Sequence, residues 1–415
     1  MSNNTGKNNF YLILILGLLT AIGPFSIDMY LPAFPDIAKG LNTTVAKVML
    51  SLSSFFIGIS AGQLIYGPLL ERFGRKKPLY TGLSIYLLAS IGCAMATSVN
   101  ALIMFRLLQA LGGCVGLVAA RAMVRDLFEV KENAKIFSLL MLVVAVSPII
   151  APTLGGYITA IFGWRYVFVM LIAVALIILT GIYFLLPESR KPDPEFSLMP
   201  RPIINNFMGI IRHPQFYTYS LTGAIASAGL YAYISGSPHV FMEIFKVSEQ
   251  QYGWIFALIA MGLIGAAQIN TVLLKNYKSE QIIKMALSCQ SVIGIMLAGI
   301  TYTGRGDLFI TIFLIFIFLG CQGFIFPNSS ALSLAPFGHN AGSASALLGA
   351  IQMFIGAGVS AMVSFLQNYG SPMTGVMACC AIVAFSVLTL GRKIIVQQAS
   401  TEAVEEEDVE MISTL

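Results

Sequence analysis

Residues Gly67–Pro78 read GPLLERFGRKKP, and this stretch decides how the rest of the chain is laid out. Mostly apolar residues, Val48–Tyr66, lead into it, and a second apolar run, Leu79–Thr97, leaves it. Two membrane-length segments joined by so few residues form a tight antiparallel hairpin. Its joint carries Arg72, Arg75, Lys76 and Lys77 against Glu71 alone. Lys and Arg concentrate in short loops on the cytoplasmic side of a membrane, so the joint also sets which way the chain faces.

Outward from the hairpin the same alternation continues. Hydrophobic residues make up 57% of the 415-residue chain and charged residues 10%, where a soluble domain carries about 25% charged residues. Apolar runs lie near 10–31, 47–69, 78–97, 101–124, 135–160, 165–186, 216–237, 251–274, 282–302, 308–330, 341–366 and 372–393. Each is close to the ~20 residues that cross about 30 Å of hydrocarbon. The first run continues to Ile27 with no small-residue cleavage site, so it reads as an uncleaved helix and not a signal peptide. The pattern predicts an all-α polytopic membrane protein with twelve transmembrane helices.

With the N-terminus inside, eighteen of the 24 Lys and Arg residues fall in inner loops and ends. Lys39, Lys47, Arg165, Lys246 and Arg305 fall outside, and Arg106 lies within a span. That bias predicts both termini in the cytoplasm. The segment Pro187–Pro214 is polar and proline-rich, and it divides the apolar runs six and six. The expected organisation is a six-helix bundle over 1–187, a cytoplasmic linker over 188–215, a second bundle over 216–393 and an acidic tail over 394–415. Halves of this kind, related across a central site, are typical of alternating-access transporters. The tail, with Glu405, Glu406, Glu407 and Asp408 in sequence, reads as disordered and solvated.

Other chemistry is missing from the sequence. The six cysteines sit in apolar runs without a C-x-x-C pair, and three scattered histidines make no metal cluster. There is no G-x-x-x-x-G-K-[ST] loop and no segment large enough for a soluble enzyme domain. Basic residues mark a membrane face and not a nucleic-acid surface. The expectation is a protein without cofactor, metal or catalytic residues, driven by an ion gradient or by the gradient of its substrate.

Charges inside a membrane are costly, about 2.5–3.5 kcal/mol at the bilayer centre, so each is a functional candidate. Asp28 sits about 27 Å from the inner end of the first span, and Arg106 about 7 Å below the outer surface in the fourth. Similar depth allows them to face each other. Tyr30 and Gln109 are the polar candidates nearest to them in sequence, alongside Gln63, Gln268, Gln322, Asn328, Gln352 and Tyr231. Any of these lines a cavity or simply joins helices. Glu243, near the seventh span's outer end, is the reserve candidate for a proton site.

The hairpin joint is similar to the loop between helices 2 and 3 of the major facilitator superfamily, G-x-L-a-D-r-x-G-r-k, with Glu71 in the Asp position. The run Ser26-Ile-Asp-Met-Tyr-Leu-Pro-Ala-Phe-Pro resembles the helix 1 signature of the bicyclomycin/chloramphenicol-type (Bcr/CflA) branch of the drug:proton antiporters. Arg106-Leu-Leu-Gln-Ala-Leu-Gly, Ala120-Arg-Ala-Met-Val-Arg-Asp and Ser147-Pro-Ile-Ile-Ala-Pro-Thr-Leu-Gly-Gly resemble further signatures of that branch. The last departs from the general antiporter pattern at Ser147. The resemblance implies a two-bundle fold that exports amphipathic drugs or antibiotics across the inner membrane in exchange for protons. It implies a monomer whose partners are small molecules, protons and lipid.

Roles follow for particular residues. Asp28 and Arg106, with Tyr30 and Gln109, are expected to couple proton and substrate: an approaching and withdrawing Arg106 makes the proton affinity of Asp28 alternate, and a cationic substrate competes for the same carboxylate. Gly67, Glu71, Arg72, Gly74, Arg75, Arg125 and Asp126 are expected to form a gating charge network that latches the two bundles in the outward-facing state. Pro148 and Pro152 each delete a backbone donor. Gly155 and Gly156 permit close backbone approach, so this motif is expected to seal the halves against proton leak. Proton-coupled efflux of a metabolite, such as an amino-acid or sugar derivative, fits the residues as well. A membrane sensor fits less well, because no signalling domain is attached.

Overall fold

Short polar residues set where several helices begin. Thr44 and Ser98 turn their hydroxyls back onto the backbone N–H groups of Lys47 and Ala101, and Ser248 forms a reciprocal capping box with Gln251. Each satisfies donors that a helix start leaves unpaired. Proline opens others, where its missing N–H costs nothing.

The computed structural model describes residues 2–128, 130–195, 198–304, 306–338, 340–367 and 372–413. Arg305 lies outside the described residues, as do the side chains of Lys7, Lys131, Lys135 and of the acidic stretch after Gln397. The helices are α1 (Ser2–Asp28), α2 (Phe34–Gly40), α3 (Val45–Phe73), α4 (Lys76–Ala94), α5 (Val99–Leu127), α6 (Val130–Phe162) and α7 (Arg165–Phe184). After them come α8 (Pro200–Ile211), α9 (Pro214–Pro238), α10 (Glu249–Leu273), α11 (Ser279–Tyr302), α12 (Leu308–Leu334), α13 (Ala341–Leu366) and α14 (Pro372–Ser413). A 3-10 turn, Leu31–Ala33, follows α1, and a π turn, His239–Ile244, follows α9.

All but α2 and α8 match the twelve spans read from sequence. Ten are long and apolar enough to cross a membrane by composition alone. The two that fall short are α4, which starts on Lys76 and Lys77, and α9, which is rich in Ser, Thr and Tyr. Most of α9 is buried against α12, α13 and α14, so its polar side chains meet protein and not lipid.

Two expectations need correction. The linker holds a helix, α8, because Pro200 and Pro202 pre-set its first turn and Ile203, Phe207 and Ile210 recur on one face. The acidic tail continues α14 as far as Ser413, since Glu, Ala, Val and Met after Gln397 include strong helix formers and no Gly or Pro.

In the first half α3 packs against α5, α4 against α5 and α7, and α1 against α5, α6 and α7. In the second half α9 packs against α12 and α14, and α11 against α12 and α14. The halves meet along α3–α13 and α6–α10. We call the end that carries Arg75 inner, following the charge bias. Toward the outer end Ser53 and Ser360 share a hydrogen bond of 2.7 Å and Ser364 donates to the carbonyl of Ala46.

Candidate functional site

Between the halves lies a cavity of about 510 Å³ that runs from Ile27 and Tyr86 down to Arg121, Leu334 and Ser345 near the inner end. Its wall is mostly aliphatic and aromatic, with Gln63, Gln352 and the Tyr86 phenol among the few polar groups. Smaller pockets continue from it at the inner end, and Gln63 borders both. At the outer end, α6 and α10 shut the passage. A Cβ on Gly156 would lie 2.5 Å from the carbonyl oxygen of Glu249, and one on Gly253 2.7 Å from the Cα of Thr153. Gly155 meets the carbonyl of Met29 just as closely. Pro148 and Pro152 lie inside α6 immediately before these glycines.

Behind the cavity wall Arg106 is fully buried. Its Nη1 donates to Gln109 Oε1 at 2.7 Å and its Nη2 to the carbonyl of Ser26 at 3.0 Å. Nε has no partner. The guanidinium lies 4.4 Å from the centroid of the Tyr30 ring and 4.1 Å from that of Phe55. No carboxylate accompanies it among the described residues, so ring faces and carbonyl dipoles carry the cation. Gln109 passes the network to Ser90 at 2.7 Å, and Tyr86 pairs with Ser26 at 2.7 Å. Tyr30 bonds to Ser51 at 2.7 Å. Tyr86 and Phe55 thereby connect this buried cluster to the cavity.

Asp28 is at the outer end of α1, 5% exposed. It forms no ion pair with Arg106. Among the described residues its carboxylate makes no hydrogen bond, and it lies within electrostatic reach of Tyr233 and Tyr252 of the second half. The hydroxyl of Tyr233 is buried beside Ser237, whose own hydroxyl pairs with that of Tyr252 at 2.8 Å. Asp28 does not line the cavity. The expected facing of Asp28 and Arg106 is therefore corrected: counting rise per residue gives depth but not azimuth. Ser26 faces Arg106 and Tyr86, and two residues on the chain has turned about 200°. Direct competition between a cavity-bound cation and Asp28 has no basis in this arrangement. Glu243 pairs with His239 in the π turn and does not line the cavity either.

At the inner end Arg75, 2% exposed, bonds Asp126 Oδ2 at 2.7 Å and Glu71 Oε1 at 3.1 Å. Burial works against its charge, but the hydrogen bonds and charges of Asp126 and Glu71 win and hold its proton more firmly than usual. Arg190 holds the other oxygen of Glu71 at 2.9 Å, Ser189 donates to Asp126 and Arg72 donates to the carbonyl of Asp193. Glu188 accepts from the backbone N–H of Arg75 at 2.7 Å. Gly74, at φ +80°, makes the turn that aims those N–H groups. Among the described residues the partners of Arg75, Glu71 and Asp126 come from the first half or the start of the linker, so these three staple one bundle and do not bridge two. The network is also complete while the outer end is shut. Arg125 stays outside it, bordering the inner pockets near Gly342, and Gly67 faces open space.

Sequence reasoning missed Ser26, Phe55, Tyr86, Ser90, Tyr233, Tyr252 and Glu188. Only Tyr86 and Ser90 carried a signal, as polar residues one turn apart in a short span.

The family model described as Major Facilitator Superfamily matches residues 16–361. The chain belongs to the major facilitator superfamily. It is 32% identical over 397 residues to an uncharacterized MFS-type transporter, YdgK, of Bacillus subtilis, covering 94% of this chain and 98% of the relative. It is 29% identical to a bicyclomycin resistance protein homolog of Haemophilus influenzae, covering 92% and 96%. Among solved structures it matches the D-xylose-proton symporter with a TM-score of 0.71 at 14% identity, covering 91% of this chain and 97% of that one. The last likeness speaks to fold alone. This major facilitator chain thus has the two-bundle architecture of a transporter, a multi-pass membrane protein that handles small molecules.

Proposed function

We propose that this chain exports amphipathic drugs or antibiotics across the cell's inner (plasma) membrane in exchange for protons. The observation that carries the reading is the cavity of about 510 Å³ between the halves, open toward the inner end and shut at the outer end. Drug-sized ligands occupy pockets of roughly 300–1,000 Å³ with apolar walls and few polar groups. The likeness to a bicyclomycin resistance homolog supports the same substrate class. Asp28, Arg106, Tyr30 and Gln109 are the proposed coupling residues, with Asp28 as the proton carrier. In this reading the Glu71–Arg75–Asp126 staple stiffens the first half as it rocks, and the Pro148–Gly156 segment seals it against leak. The chain works as a monomer, with both termini and the linker in the cytoplasm, as an 18 to 5 basic bias favours.

Everted membrane vesicles test this. With the lumen acidified and a quenched pH dye inside, bicyclomycin or chloramphenicol added outside should discharge the proton gradient only where the protein is present. A panel of amphipathic drugs that leaves the gradient untouched, while the protein is inserted and folded, would rule the reading out.

A further inference from the structure

The cavity carries a charge imbalance that drug export by itself does not require. Among the described residues lining it, Arg121 is the one charged side chain and none is a carboxylate. Leu117 and Gly113, four and eight residues earlier on α5, line the same wall, so the helix aims Arg121 inward and not at lipid. Arg121 also borders the inner pocket with Arg125 and Gln63, again without an acid. Among the described residues Arg121 makes no hydrogen bond and no ion pair, and the groups that act on it are the Cys114 thiol and Arg125, a charge of the same sign. The carboxylate that borders a neighbouring pocket, Glu71, is held by Arg75 and Arg190. A basic residue that merely anchors topology points to headgroups or bulk water. This one is partly buried between the bundles beside apolar walls, where its field is weakly screened.

We infer that the inner half of the cavity is an anion-recognising subsite, in which Arg121 binds the carboxylate of an amphipathic substrate whose apolar body lies against Phe326, Leu348 and Met353. The planar guanidinium fork fits a carboxylate in two-point fashion. An anion arriving there also supplies the counter-charge that the fold withholds. Asp28, facing the outer closure, stays clear of it, so proton and anionic substrate occupy separate places. The inference rests on the export reading for the role of the bound molecule as cargo.

The test is equilibrium binding to the full chain in nanodiscs, with protein-free nanodiscs subtracted. The probes are 1-pyrenebutyrate and its neutral amide, which share one apolar body. The wild type should hold the carboxylate about tenfold more tightly than the amide, the low end for a hydrogen bond to a charged group. Arg121→Gln should erase that preference with amide affinity unchanged, which also shows that the variant is folded. Arg121→Lys, which keeps the charge and loses the fork, should keep part of the preference. A wild type without preference, an Arg121→Gln protein that retains it, an equal loss of both probes in Arg121→Gln, or an Arg121→Lys protein without it overturns the proposal. Binding needs no proton gradient. Selective binding without proton discharge in everted vesicles sinks the antiport reading alone, and discharge by bicyclomycin without carboxylate preference sinks this one alone.

Discussion

Two buried charges of opposite sign sit near the outer end of the first bundle and ignore each other. Arg106 is carried by Tyr30, Phe55, Gln109 and the carbonyl of Ser26. Asp28 looks across to the phenols of the second half. A carboxylate at that closure, unpaired while the outer end is shut, is placed to bind a proton that opening would release. Asp28→Asn should therefore insert and bind drug normally yet give no substrate-induced proton release from purified protein in detergent. Release equal to wild type moves coupling elsewhere. The staple gives a second residue-scale outcome. Removing one partner of a buried pair costs about 3 kcal/mol at the low end, and Arg75 is more buried than either acid it holds. Arg75→Gln should lower the thermal midpoint in detergent more than Glu71→Gln, whose loss leaves Arg75 bonded to Asp126. The reverse order would mean that Arg190, and not Arg75, is the centre of the staple. Arg106 and Gln109 were legible because three residues apart on a helix share a face. The pairing of Ser26 with Tyr86 was not, because sixty residues of separation carry no such rule.

At the scale of elements, α6 and α10 close the outer end by touching backbone to backbone. A side chain at Gly156 meets the carbonyl of Glu249, which cannot swing aside as a side-chain tip does. Gly156→Val should push the closure open and raise the labelling of a cysteine placed at Ser360 by an impermeant maleimide added outside. Gly67→Ala, where nothing lies within 4 Å, should leave labelling at the wild-type level. Equal labelling in both would show that the seal lies elsewhere. The spans were readable because each is an apolar run ended by charge or turn residues. Helix α8 was hidden by the prolines that open it, which read as linker when its spacing of Ile203, Phe207 and Ile210 is not weighed.

For the whole molecule, the two halves repeat each other with one informative difference. Gln109 on α5 donates to Ser90 Oγ, and Gln322 on α12 donates to Ser227 Oγ, each in the middle of its bundle. The position three residues before the glutamine is Arg106 in the first half and Leu319 in the second. Among the described residues the buried charges, Asp28, Arg75 and Arg106, all lie in the first bundle, and the second presents phenols and amides to it. In alternating access the halves rock about a site between them, so the outer closure seen here must open once per cycle. Ser53 and Ser360 stand across that closure with their hydroxyls 2.7 Å apart. The double substitution Ser53→Cys with Ser360→Cys should crosslink under mild oxidant and stop export, and reductant should restore it. Binding of bicyclomycin from the inner side should survive the crosslink, because the cavity opens at the other end. Full export by completely crosslinked protein would mean that the outer ends of α3 and α13 move together and that the exit path lies between other helices.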